Sequence, residues 1–172
     1  MRLSKDPDEA IAQITDPNIS RSGLDPVSSG VSGKDRDVFS IDAFKAKRVY
    51  KALDAIDDPQ IVDWALWTNA VLSESDERKY RNRVGESLIS VLGGYDFFNF
   101  DDIARAHNMV FMIMQGRRPG KSMPNLTDMA RNMSMDKRNL YGDKKWAKVF
   151  GRLKYVVDGW DRRAREEISK VI

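Results

Sequence analysis

Residues 143–172, DKKWAKVFGRLKYVVDGWDRRAREEISKVI, decide the fold class. Apolar residues recur in this stretch at intervals of three and four, which places them on one face of an α-helix. At 1.5 Å per residue, a helix of roughly thirty residues is about 40 Å long and can cross a whole small domain. We expect the apolar stripe to be core, with pairing to a second copy as the alternative. Its residues are Trp146, Val149, Phe150, Leu153, Val156 or Val157, Trp160, Ala164, Ile168 and Val171.

Helical spacing continues toward the N-terminus. Ser40 is a candidate N-cap for one helix, and Asp58 with Pro59 opens the next one, whose apolar residues point in most directions and indicate a central position. The predicted bounds of the four upstream helices are 40–57, 58–72, 75–93 and 99–116. No segment alternates apolar and polar residues over five or more positions. The sequence therefore predicts an all-α fold.

Composition divides the chain into three parts. Residues 1–38 contain three Pro, three Gly and six Ser without lasting periodicity, which predicts a flexible arm, with a short helical turn over 8–14. Residues 39–120 are predicted to form a helical core that contacts other proteins. Residues 121–172 are predicted to form a DNA-binding part that ends in the long helix. This division follows the periodicity and the glycine-rich breaks between helices.

The net charge of +3 conceals a strong polarity along the chain. Residues 1–104 hold 13 basic and 19 acidic side chains, whereas residues 105–172 hold 16 basic and 7 acidic ones. Such an asymmetry indicates a segment that binds a polyanion. The alternative is that the Lys and Arg residues only solvate one face of a long helix.

Residues 125–146, NLTDMARNMSMDKRNLYGDKKW, follow the pattern of a helix-turn-helix. Counted from Leu126, the fifth position is the small Ala130, and the fourth, eighth, tenth and fifteenth positions are apolar. Small and apolar residues at these places let two short helices cross closely. The ninth position, where Gly is usual, is Ser134, and the eighteenth, usually apolar, is Asp143. An ordinary helical hairpin with a basic face is the alternative.

The second helix of this motif is predicted to start near Asp136 and to be the recognition helix. Arg and Asn side chains suit the edges of guanine and adenine, and Lys suits bases or phosphates. The loop 116–122 is also basic, but it lacks the spacing of a phosphate-binding loop and is predicted only to touch phosphate. The candidate DNA-binding residues are Lys137, Arg138, Asn139, Tyr141, Lys144, Lys145, Lys148, Arg131, Arg117 and Arg118.

The stretch 124–165, from Pro124-Asn-Leu-Thr127 through the apolar positions above to the helix carrying Trp146 and Trp160, resembles phage-type transcription regulators. It is also similar to the late-gene antiterminators of lambdoid phages, some of which carry a zinc-binding cysteine cluster that this chain lacks. The resemblance implies sequence-specific binding to double-stranded DNA, transcription regulation or antitermination, and action in the cytoplasm of a bacterial host. It also implies that residues 39–115 contact RNA polymerase.

Catalysis is poorly supported by the composition. The chain has no Cys and one His, His107, which excludes thiolate zinc sites, cysteine nucleophiles and paired-His sites. Adjacent acidic residues such as Asp101 and Asp102 point about 100° apart on a helix and do not converge on one site. We therefore predict a protein that is not an enzyme and has no catalytic residues, metal or cofactor. No signal peptide or membrane span is predicted.

The aromatic residues Trp64, Trp67, Phe97, Phe98 and Phe100 are interpreted as core, with any exposed part of the 95–100 loop as a protein contact patch. Two other classes of protein remain as alternatives to the regulator. One is a DNA-packaging protein such as a small terminase subunit, which would form a ring. The other is an inhibitor or adaptor that binds a host protein and no nucleic acid.

Overall fold

The computed structural model describes residues 3–17, 20–22, 40–93, 100–135 and 144–172, without the side chains of 20–22, 40–45, 126 and 144. The described chain is built from helices, as predicted. In chain order they are α1 (Pro7–Thr15), α2 (Ala43–Asp54), α3 (Pro59–Asn69), α4 (Glu74–Val91), α5 (Phe100–Gly116), α6 (Leu126–Asn132) and α7 (Lys144–Ser169). Two three-residue strands, β1 (Ser20–Ser22) and β2 (Ser40–Asp42), pair in parallel with Ser20 opposite Ser40.

The core is organised around α3 and α7. Helix α3 contacts α1, α4 and α7, while α7 also contacts α1, α2 and α5. Trp64 and Trp67 of α3 are fully buried, as its nearly all-round apolar sequence predicts. The stripe of α7 is buried from Trp146 to Ile168, so the core interpretation of that stripe is confirmed.

Local capping explains where several helices begin. The side chain of Asp58 accepts a hydrogen bond from the Gln60 amide, and Pro59 follows it at the first helical position, as predicted. Ser73 caps α4 by accepting from the Asp76 amide at 3.2 Å, so this helix starts slightly earlier than predicted. The start of α2 differs more, because Ser40 lies in β2 and the helix begins at Ala43. Residues 40–42 pair with β1, so their backbone does not form the first helical turn that the sequence predicts.

The described N-terminal residues correct the prediction of a flexible arm over 1–38. Helix α1 buries Ala10, Ile11 and Ile14 in the common core. Its C-terminal end is held from two directions, since Tyr50 Oη donates to the Ile14 carbonyl at 3.0 Å and the Val71 amide donates to Thr15 Oγ1 at 3.0 Å. Residues 7–15 are therefore part of the domain, while residues 1–2, 18–19 and 23–38 of the predicted arm lie outside the described residues.

Candidate nucleic-acid interface

Helix α6 has the features expected of the first helix of a helix-turn-helix. Asn125 Oδ1 accepts a hydrogen bond from the Asp128 amide at 2.9 Å and caps the helix. Met129, Ala130 and Met133 are buried, at relative exposures of 0%, 2% and 3%. The three residues that the pattern assigns to the interior angle therefore do face the interior.

The chain turns directly after α6 at Ser134. This residue has a φ of 51°, in the left-handed region that normally favours Gly. The Ser134 amide bonds to the Arg131 carbonyl at 3.2 Å, and the Met135 amide bonds to the Ala130 carbonyl at 2.9 Å. This pair of hydrogen bonds is a Schellman motif, with Ser in the place of the usual Gly. Ser134 thus takes a left-handed conformation at the position where the motif usually has Gly. Residues 136–143, where the recognition helix is predicted to begin, lie outside the described residues.

Helix α7 follows and presents a basic outer surface over its first half. Residues 144–154 contain five basic and no acidic side chains, and Lys148 and Arg152 are exposed. Since these two residues are four positions apart, they lie on the same face of the helix. Gly151 and Tyr155 share this outer surface: nothing lies within 4 Å of a Cβ built on Gly151, and Tyr155 is 72% exposed. The outer surface of this half of α7 is therefore positively charged and is uncovered at Gly151.

The candidate DNA-binding residues fall into distinct groups in the structure. The side chain of Arg131 is 78% exposed and lies 3.9 Å from Asp128, and Lys148 is also exposed. Lys145 is half-buried, with its Nζ 2.7 Å from Asp102 Oδ2 on α5. Lys144 is the first residue of α7. The remaining candidates on the predicted second helix, Lys137, Arg138, Asn139 and Tyr141, lie outside the described residues.

Arg117 and Arg118, which the sequence assigns to a phosphate-touching loop, have partners inside the chain. Arg118 Nη1 donates to the Trp67 carbonyl at 2.9 Å, and its guanidinium lies 4.7 Å from the centre of the Trp67 ring. Arg117 forms ion pairs with Asp158 and Asp161 of α7. The sequence could not show this, because the partners lie more than forty positions away.

Asp161 is the centre of a charged cluster that joins α3, α7 and the end of α5. It accepts a hydrogen bond from Trp64 Nε1 at 2.6 Å and another from Arg117 Nη1 at 2.9 Å. Burial raises the pKa of the Asp161 carboxyl above its ordinary value of 3.8, against the opposing effects of the Trp64 hydrogen bond and the Arg117 charge. An open cavity of about 770 Å³ lies beside the cluster, lined by Arg162, Arg165 and Glu166 among others. These contacts link α7 to α3 and to the end of α5.

Sequence reasoning did not assign Arg152 to the candidate interface. The signal was available in its spacing from Lys148, but the exposure of that face depends on how α7 packs. Among the described residues, no group of three or more His, Asp and Glu side chains is placed to hold a metal ion. No helix in the same part of the chain is both long and apolar enough to cross a membrane. No protein-family model, curated protein or solved structure matches this chain.

Proposed function

We propose that this protein binds double-stranded DNA in a sequence-specific manner through a helix-turn-helix and regulates transcription, as a phage-type regulator or antitermination factor. The observation that carries the proposal is the left-handed turn at Ser134, which closes a helix whose Met129 and Ala130 are buried. The helix-turn-helix pattern assigns its turn to this ninth position, and Ser134 adopts the left-handed conformation there at a cost of about 1–2 kcal/mol.

The charges around the turn support the same proposal. Arg131 at the end of α6 and Lys148 with Arg152 on α7 are exposed on either side of the segment 136–143 in sequence. These cations, together with Lys144, suit the phosphates that flank a recognition helix. Lys145 retains a partial role in the proposal because Asp102 neutralises part of its charge. Arg117 and Arg118 have no role in the proposed DNA contacts, because both are engaged inside the chain.

Base recognition is assigned to the segment after the turn. Arg138 forks to the O6 and N7 of guanine and Asn139 to the N6 and N7 of adenine, with Lys137 and Tyr141 beside them. The site of action would be the cytoplasm of a bacterial host, where RNA polymerase is the protein partner implied by the resemblance to antiterminators.

The proposal is tested by selecting bound sequences from a random double-stranded DNA library and measuring affinities for the selected site and a scrambled one. We expect Arg138→Ala and Asn139→Ala to lose about 1–3 kcal/mol of preference for the selected site. Lys148→Ala should weaken binding to both DNAs equally. Lys170→Ala is the matched control, because this lysine lies about 33 Å farther along the axis of α7 and pairs with Glu167.

Two results would contradict the proposal. One is an absence of binding to any duplex at about 50 mM salt, where a protein contacting several phosphates binds visibly; this result would favour the inhibitor or adaptor class. The other is an unchanged preference in both Arg138→Ala and Asn139→Ala, which would place recognition elsewhere. A stable ring of about eight or more copies in solution would favour the packaging class.

A further inference from the structure

Gly151 lies exposed in the interior of α7, where a glycine weakens the helix relative to alanine. A Cβ built on it meets no atom of the described chain within 4 Å, so close packing does not explain the missing side chain. Its φ is not in the left-handed region that favours Gly. The close approach of a ligand is another physical reason for a glycine at such a position.

The neighbours of Gly151 form a cationic depression around it. At about 100° per residue, Lys148 and Lys154 lie about 60° to either side of Gly151 on the helix surface, and each is within one turn of it. Tyr155 follows four positions after the glycine and is 72% exposed. Both lysines are exposed as well. Two ammonium groups and a phenolic hydroxyl thus surround a place on the helix that has no side chain of its own.

An ion pair within α7 leaves part of the Lys154 charge available. Its Nζ lies 3.5 Å from Asp158 Oδ2, and the side chain is 52% exposed. Asp158 also pairs with Arg117 at the end of α5, so one carboxylate is shared between two cations. An exposed pair between residues four positions apart contributes little to stability. The depression therefore keeps a net positive charge, which suits an anion.

We propose that a phosphate group of the DNA backbone binds over Gly151, where the Nζ groups of Lys148 and Lys154 and the Oη of Tyr155 donate to its oxygens. This inference rests on the proposed DNA binding and adds Gly151, Lys154 and Tyr155 to that site. Hydrogen bonds from charged donors to phosphate are stronger than neutral ones. Any side chain at position 151 would occupy the space between the two lysines.

The position of the depression along α7 suits such a contact. The predicted recognition segment, 136–143, directly precedes Lys144, and Gly151 lies about 10 Å from Lys144 along the helix axis. The major groove of B-DNA is about 12 Å wide, so a segment inside it has backbone phosphates at a comparable distance on either side. A contact of this kind fixes the position of the protein on the duplex without reading its sequence.

Substitutions at Gly151 separate phosphate binding from helix stability. Gly151→Ala should raise the Tm by about 1–4 °C, because Ala favours the helix, and should nevertheless weaken binding to the selected DNA site. Gly151→Gln places a longer side chain over the depression and should weaken binding about tenfold, the loss typical of one charge-assisted hydrogen bond. It should also reduce the slope of log affinity against log salt concentration by about one.

Gly159 provides the matched control on the same helix. A Cβ built there also has nothing within 4 Å, and the residue lies about 12 Å farther along α7. Gly159→Ala should raise the Tm in the same way, while Gly159→Gln should leave DNA affinity and the salt slope unchanged. Tyr155→Phe removes only the hydroxyl, and it should weaken DNA binding about threefold or more without changing the Tm.

The wild type distinguishes the failure of this inference from the failure of the proposed function. A wild type that binds no duplex contradicts the proposed DNA binding and the phosphate site with it. If the wild type binds the selected site and Gly151→Gln binds it as tightly, the phosphate site alone is overturned. Equal weakening by Gly151→Gln and Gly159→Gln would also overturn it, because the effect would then not depend on the cationic depression.

Discussion

The two halves of α7 share one buried stripe but have different outer surfaces. Trp146, Val149 and Leu153 in the first half are as deeply buried as Val157 and Ile168 in the second. Outside, residues 144–154 carry five basic and no acidic side chains, whereas residues 155–169 carry three basic and four acidic ones. One continuous helix thus presents a cationic surface at one end and a mixed surface at the other.

Partners from other elements increase this difference. In the second half, Arg117 pairs with Asp158 and Asp161, and Arg165 pairs with Asp8 of α1. In the first half, Lys145 pairs with Asp102 of α5, whereas Lys148 and Arg152 are exposed. A basic residue of this helix is thus either paired with another element or exposed on the surface, and the packing of its neighbours decides which. If the proposed DNA contacts lie in the first half, variants in the two halves should differ in their effects on stability and on DNA binding.

The largest effect is expected where the second half meets α3. Trp64→Ala should lower the free energy of unfolding by about 3–5 kcal/mol, because a fully buried ring is lost together with the hydrogen bond to Asp161. Urea unfolding measures this change. Tyr155→Ala is the control, since its ring is 72% exposed and its loss should cost less than about 0.5 kcal/mol. Equal losses in the two variants would contradict the assignment of Trp64 to the core.

Two glycines should respond to alanine with opposite signs. A Cβ on Gly116 would lie 2.8 Å from Pro124 Cδ and 2.9 Å from both Met123 Cα and the Ser122 carbonyl oxygen. Gly116→Ala should therefore destabilise the chain by about 1–3 kcal/mol. Gly151→Ala, in open space on α7, should raise the unfolding free energy by about 0.5–1 kcal/mol, because Ala favours the helix. If Gly151→Ala also lowered the unfolding free energy, this result would contradict the open space around Gly151 on α7.

The salt dependence of DNA binding should separate the two halves. Lys148→Ala should reduce the slope of log affinity against log salt concentration by about one, as expected when one phosphate contact is lost. Arg163→Ala removes an exposed positive charge from the second half and should leave the slope unchanged. Fluorescence anisotropy over a salt series measures both slopes. Equal reductions would mean that binding uses the whole helix and no particular half of it.

The smallest effect is a pH dependence at Asp161, for which we compare the wild type with Asp161→Asn by urea unfolding. The folded-state pKa of this carboxyl is raised by burial, so folding favours its protonated form. Its contribution is most favourable below the unfolded-state value near 3.8 and is lost as the pH rises through the folded-state pKa. The stability of the wild type relative to Asp161→Asn should therefore increase from pH 7 toward pH 4. A constant difference would contradict the raised pKa.

Local sequence signals predicted most of the helices and the cap of α3. The spacing of apolar residues identified α7 and its buried face, and Asp58 with Pro59 marked the start of α3, because these features act within a few residues of the chain. At Ser134 the sequence departs from the usual Gly of the motif, yet the residue adopts the left-handed conformation. In contrast, the start of α2 was wrong because β2 pairs with a strand twenty positions earlier, and short-range periodicity carries no information about such a partner.

The sequence by itself determined the helical fold class, the polarity of charge and the position of the helix-turn-helix pattern, since each depends on residue types at short spacing. Only the tertiary structure decided which charges are available. Arg117 and Arg118 pair with groups more than forty positions away, Lys145 meets Asp102 of α5, and Phe100 is left outside the core. Burial and pairing depend on how whole helices pack together. The chemistry of the candidate surface therefore follows from the arrangement of α3, α5 and α7 as much as from its own residues.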